Sequence, residues 1–173
     1  MDLIIERLDK SKHNRNEFDC GKEELHTFIK LHANNNQKLN ISVTHVAISQ
    51  DDSNQNKSIY AYYTLSSGHI TYDELPDKLK SKLPKYPVPI ARICRLAVDE
   101  SHQKQGIGEF LLFNAFSNIL ESAKKIAIYA IVVDAKDAEA KAFYKQYGFI
   151  ELQRSALTLF LPLKTIQLAS STR

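Results

Sequence analysis

The sequence predicts a mixed α/β sheet in one domain. Three observations lead there. The first half of the chain carries short runs rich in β-branched and aromatic residues, divided by polar turns. The second half reads strand, helix, strand, helix, then two closing strands. Between them lies no linker long enough to divide the chain, and 173 residues suit one domain with a core of its own.

The elements follow in order. Asp19 can cap a helix beginning near Gly21, which sets Leu25, Phe28, Ile29 and His32 or Ala33 on one face. Segments 43–48 and 59–65 flank the polar stretch QDDSNQNK and read as a hairpin with a long tip. A short helix fits residues 73–82, after which Pro84, Pro87 and Pro89 keep the chain extended. Residues 92–98 form a strand ending at Asp99. Residues 106–121 are apolar almost all round, as in a largely buried helix. Residues 126–133 are an uninterrupted apolar run, as in a strand buried on both faces. Asp137 can cap a helix running through Tyr147, and Gly148 stands where a left-handed C-terminal residue would. Segments 149–152 and 157–161 close the sheet.

Composition narrows the function classes. Cys20 and Cys94 are too few for a disulfide framework and lack metal-ligand spacing, so a reducing compartment is expected. The six histidines show no ligand spacing, and no metal is expected. The start, MDLIIERLDK, breaks its apolar run with acids and is not a signal peptide. No apolar stretch approaches the ~20 residues of a membrane helix. These features together predict a cytoplasmic protein. The net charge of +3 is mild, but Lys78, Lys80, Lys82, Lys85, Arg92 and Arg95 cluster with only Asp77 to dilute them. Such a cluster either attracts polyanions or forms a solvated helix face.

The most informative segment is Gln103-Lys104-Gln105-Gly106-Ile107-Gly108, between an apolar strand and a buried helix. A helix N-terminus offers free N–H groups and partial positive charge to a pyrophosphate, and glycines let the main chain come close. Gln103 and Lys104 add side-chain donors. By itself a glycine pair is weak evidence, since a turn of this kind often only packs a helix onto a sheet, and without its context that reading would win.

The context decides. RLAVDESHQKQGIGEFLL resembles the signature of the GNAT (GCN5-related N-acetyltransferase) superfamily, and IYAIVVDA followed by AKAFYKQYGF resembles its second signature. FDCGKEELHTFI, IYAYYTLSS, LPKYPVPIARICRLAVD and LTLFLPL further resemble one branch, the GNAT toxins of bacterial toxin–antitoxin pairs, over roughly residues 3–163. Cys94 departs from the glycine often found there.

The resemblance implies a single-domain GNAT fold over residues 1–165, a mixed sheet flanked by helices on both faces, with 166–173 as a tail. It implies acetyl-CoA as cosubstrate, held by Leu96, Ala97 and Val98 and by Gln103, Lys104, Gln105, Gly106, Ile107, Gly108 and Glu109. It assigns Tyr144 as the acid that protonates the departing thiolate. It implies that the α-amino group of aminoacyl-tRNA is acetylated, blocking translation, with Lys82, Lys85, Arg92 and Arg95 as tRNA-binding candidates. Its partners would be aminoacyl-tRNA and a small DNA-binding antitoxin, and the branch commonly dimerises. Two alternatives stay open: acetylation of a protein amine or small-molecule amine, and a non-catalytic binding module on the same fold. Arg95 can equally face the acceptor or snorkel from the sheet, and Cys20 and Cys94 read as core residues.

Overall fold

The computed structural model describes residues 2–171. In chain order the strands and helices are β1 (Leu3–Arg7), β2 (His13–Asn14), α1 (Glu23–Thr27), α2 (Ala33–Lys38), β3 (Val43–Ser49), β4 (Lys57–Ser58), β5 (Ala61–Ile70), α3 (Asp77–Lys80), β6 (Val88–Val98), α4 (Ile107–Ala123), β7 (Ala130–Asp134), α5 (Ala138–Gln146), β8 (Ile150–Leu152), β9 (Ser155–Pro162) and α6 (Leu163–Ser170). A mixed seven-stranded sheet has the order β1-β3-β5-β6-β7-β9-β8. β6 and β7 run parallel, which obliges a crossover, and α4 supplies it. β1–β3–β5 is an antiparallel meander, and β9 pairs antiparallel with both β7 and β8.

The chain folds as two compact units: Met1–Ser66 with Cys94–Ser117, and Ser67–Ile93 with Asn118–Arg173. No linker separates them. The chain passes from one to the other inside β5, inside β6 and inside α4.

In the first unit, Phe18, Leu25, Phe28, Ile29 and Ala33 bury against Val46, Ile48, Tyr62 and Ala97. Burial of each large side chain is worth roughly 1.5–3 kcal/mol. The Tyr62 hydroxyl is satisfied by donating to Leu25 O at 2.7 Å. The first helix differs from expectation in two ways. It begins at Glu23, and Asp19 does not cap it: the preceding residue, Lys22, makes no side-chain cap. A π-helical segment, Phe28–His32, also interrupts it before α2. The extra residue per turn keeps Leu25, Phe28, Ile29 and Ala33 all buried while His32 turns to solvent.

α4 is less buried than its composition predicts. Ile107, Leu111, Leu112, Ala115, Phe116 and Ile119 are buried, but Phe110 and Phe113 are 40% and 47% exposed. A helix lying on a sheet hides only one stripe, so two of its aromatic residues face outward.

In the second unit, Val88, Ile90, Ala130, Val132 and Phe160 bury together with Ile70, Leu75 and Leu152. The central strand begins at Ala130, four residues later than expected, and Ile126 is exposed. The expected helix at 73–82 shrinks to a 3-10 turn at Tyr72–Glu74 and the four-residue α3. Residues 166–170, expected as tail, lie within α6. Among the described residues no helix is long and apolar enough to cross a membrane.

Candidate active site

In the first unit the candidate cofactor segment begins at the end of β6. The parallel register with β7 covers Ile90 to Ile93, and β6 continues to Val98 beyond the last of those pairs. Leu96 and Val98 are half-buried and Ala97 is buried. Asp99 then caps a 3-10 turn, Glu100–His102, by accepting the Ser101 N–H at 3.1 Å. Burial alone would push the Asp99 carboxyl up. Bonds from Ser101, Asp19 and His102 outweigh it and hold the group below the usual carboxylate range.

The loop itself requires unusual backbone. Gly106 has φ +81°, and Lys104, a residue with a Cβ, is also left-handed at +59°. Gln103, Lys104, Gln105 and Gly106 are exposed. A Cβ added at Gly106 would meet nothing within 4 Å, so the space above it is open to a ligand. The first helical bond of α4 runs from Phe110 N–H to Gly106 O at 3.1 Å. The amides of Ile107, Gly108 and Glu109 therefore precede the hydrogen-bonded ladder and carry the positive end of the helix dipole. This fits a pyrophosphate: open space, close main chain and unspent donors. One expected contributor is redirected. The Gln103 side-chain amide points inward, donating to Cys20 O at 3.2 Å and Val98 O at 3.0 Å.

In the second unit, Asp137 caps α5 as expected, accepting the Ala140 N–H at 2.9 Å, and Gly148 ends it with φ +90°. α5 carries Tyr144. The adjacent aromatic side chains point about 100° apart around the helix. Tyr144 is the buried one and Phe143 the half-exposed one. The Tyr144 ring packs edge-on to Phe149 at 5.5 Å and to Phe143 at 5.3 Å. Burial pushes its phenol well above the ordinary tyrosine value, so the hydroxyl keeps its proton at neutral pH. It has no hydrogen-bond partner among the described residues. A protonated, uncommitted hydroxyl can serve as an acid and not as a base.

The basic cluster disperses. The Arg92 Nη1 donates to Asp134 Oδ2 at 2.5 Å, and Asp134 Oδ1 accepts from the Thr158 hydroxyl at 2.9 Å. Lys80 pairs with Asp77 at 3.3 Å and reaches Gln153 at 3.4 Å. In the first unit the Arg95 guanidinium stacks over the Phe28 ring at 3.7 Å. That leaves Lys78, Lys82 and Lys85 solvent-facing, with no ion pair among the described residues. In the sequence Asp134 is marked only as part of the VVDA run. Its strand-end position after an apolar run was the signal available.

The remaining reactive groups are quiet. Burial raises the Cys20 thiol, which disfavours the thiolate. The Cys94 sulfur lies 3.1 Å from the Ser66 hydroxyl. Among the described residues no group of three or more His, Cys, Asp or Glu is placed to hold a metal ion.

Residues 83–158 match the family model described as acetyltransferase (GNAT) domain. The chain is 30% identical over 172 residues to a probable toxin TacT of Sinorhizobium fredii, covering 95% of this chain and 93% of that protein. Among solved structures it resembles AtaT complexed with acetyl-methionyl-tRNAfMet, with TM-score 0.89, 30% identity, and coverage of 98% and 99% of the two chains. It also resembles a tyrosine-to-phenylalanine mutant of the AtaT toxin bound to the C-terminus of the antitoxin AtaR and acetyl-CoA, with TM-score 0.83, 26% identity, and 98% and 99% coverage.

Proposed function

The chain belongs to the GNAT toxin family, and on that premise we propose that it is a toxin that moves the acetyl group of acetyl-CoA to the α-amino group of an aminoacyl-tRNA. The observation that carries the reading is the segment at 96–109: an extended strand end, then exposed left-handed turns, then free helix amides over open space. That is main chain arranged for a pantetheine arm and a pyrophosphate. The resemblance to AtaT with acetyl-methionyl-tRNA supports the acceptor, and the resemblance to AtaT with AtaR and acetyl-CoA supports the cosubstrate and a toxin-neutralising partner.

Holding the thioester and the amine together supplies much of the rate, because it removes an encounter from the barrier. The amine nitrogen attacks the acetyl carbonyl, the C–S bond breaks, and the amide forms. A free α-amine titrates near about 8, and an esterified one lower, so much of it is neutral without a dedicated base. The departing thiolate takes a proton from Tyr144, and the proton that the nitrogen sheds as the amide forms passes through solvent and restores the phenol, so the products are the amide and the free thiol. Burial keeps the proton on the phenol at neutral pH, so the group stands in its donor form and can hydrogen-bond the sulfur while the C–S bond breaks. Lys82 and Lys85 would meet RNA phosphates, positioning the acceptor without identifying it. Arg92 and Arg95 would contribute while remaining held by Asp134 and Phe28.

The test is incubation with labelled acetyl-CoA and total charged tRNA. The label should appear on the α-nitrogen of an aminoacyl adduct, and expression of the active protein should halt bacterial growth unless its antitoxin is co-expressed. Equal use of the same amino acid as a free ester, with no salt dependence, would favour a small-amine acceptor instead.

A further inference from the structure

We propose that the turn at residues 18–21 is a brace for the cofactor loop, and that Gln103 is the positioning residue through which it acts. This rests on the reading that the loop holds acetyl-CoA. The turn is distant in sequence, yet three hydrogen bonds join it to residues 98–103, and a fourth closes the loop's own entry. Gln103 Nε2 donates to Cys20 O at 3.2 Å and, at the same time, to Val98 O at 3.0 Å. Glu100 N–H donates to Asp19 O at 2.8 Å. Asp19 N–H donates to Asp99 Oδ2 at 3.1 Å.

The turn is itself fixed. Asp19 Oδ1 accepts the Gly21 N–H at 2.9 Å and lies 3.2 Å from His26 Nδ1. Gly21 has φ +75°, and a Cβ there would come within 2.1 Å of Glu100 Oε1. On either side of Asp19, Phe18 and Cys20 are buried in the core, and the Phe18 ring meets Tyr62 edge-on at 5.3 Å. A rigid anchor therefore stands directly behind a loop whose side chains are exposed.

The loop needs such an anchor. Lys104 and Gly106 both hold left-handed backbone, which an untethered segment would populate only in part. Fixing the loop's entry before the ligand arrives removes an ordering cost from binding. Gln103 does this with neutral N–H donors aimed at two carbonyl oxygens. Glutamate has the same shape and no donor, and would set a carboxylate against both oxygens. Arginine retains donors.

The experiment measures acetyl-CoA binding by calorimetry, and KM for acetyl-CoA and for charged tRNA, in wild type, Gln103→Glu, Gln103→Arg and Asp99→Ala. Gln103→Glu should weaken acetyl-CoA binding about tenfold or more, the worth of two internal hydrogen bonds. The loss should fall on KM for acetyl-CoA, with KM for charged tRNA unmoved. Gln103→Arg should restore most of the affinity. Asp99→Ala, which removes the acceptor of the Asp19 N–H together with the cap on the Glu100–His102 turn and leaves the Gln103 side chain in place, should give an intermediate loss, and it carries the test if Gln103→Glu does not fold. Wild-type affinity in both Gln103→Glu and Asp99→Ala overturns the brace. So does a loss shared equally by both substrates, or an arginine variant as weak as the glutamate one. A wild-type protein that binds no acetyl-CoA overturns the functional reading itself.

Discussion

The two compact units offer different kinds of candidate chemistry. In the first, the candidate chemistry is main chain: strand carbonyls and amides, left-handed turns and the open end of α4. In the second it is side chain: the Tyr144 hydroxyl, the exposed lysines of the α3–β6 segment, and the Arg92–Asp134–Thr158 chain. A main-chain site tolerates many side chains but depends on backbone shape. A side-chain site tolerates backbone drift but depends on single atoms. Mutations should therefore fail differently in the two units.

The sharpest test of the side-chain half removes one oxygen. Tyr144→Phe should retain fold and acetyl-CoA affinity and lose turnover by roughly 10²–10⁴-fold, the range for a positioned acid. Single-turnover kinetics beside calorimetry separates the two. Wild-type turnover would hand the proton to water and erase the contrast.

The matching test of the main-chain half leaves every functional atom in place. Gly106→Val puts a β-branched residue at φ +81° and a side chain into open space where phosphate would approach. Acetyl-CoA affinity should fall by tens-fold, about 2 kcal/mol in binding, while kcat at saturation changes far less. An unchanged Kd would show that the loop merely packs.

A smaller effect is expected from the lysines. Lys82→Glu with Lys85→Glu should weaken all charged tRNAs together, leave acetyl-CoA binding unchanged, and lower the log–log salt slope by about 1 per lost phosphate contact. A solvated lysine face predicts no change in either.

The smallest effect concerns the scaffold of Tyr144. Asp137→Ala deletes the cap on α5 and should cost about 1 kcal/mol of stability. Thermal melting would register it, and acetyl-CoA affinity would not follow.

The same contrast explains what was legible in the sequence. The strand, glycine pair and helix around residues 92–121 could be read because backbone sites leave a local signature: an apolar run, then glycines, then a periodic helix. The cap at Asp137 and the left-handed Gly148 were legible for the same reason. Side-chain partnerships were not. Gln103 looked like a phosphate donor, but its partners include a carbonyl of Cys20, far upstream in the chain. The basic cluster looked like one patch, but Arg92 turns to Asp134 and Arg95 to Phe28, and sequence proximity says nothing of either choice. The aromatic residues of α4 were read as buried because composition does not say how many neighbours a helix has.

The π-helical segment at Phe28–His32 has a consequence of phase. One residue more in a turn advances everything after it by about 100° around the axis. Downstream, α2 presents Gln37, whose amide donates to Leu8 O at 2.9 Å and accepts the Thr44 N–H at 3.2 Å. Deleting one residue from the segment would give a smoother helix with better internal bonds. It would also rotate Gln37 away from both partners and cut the stitch between β1's extension and the start of β3. The irregular turn is thus a timing device: its local imperfection keeps a distant side chain in register.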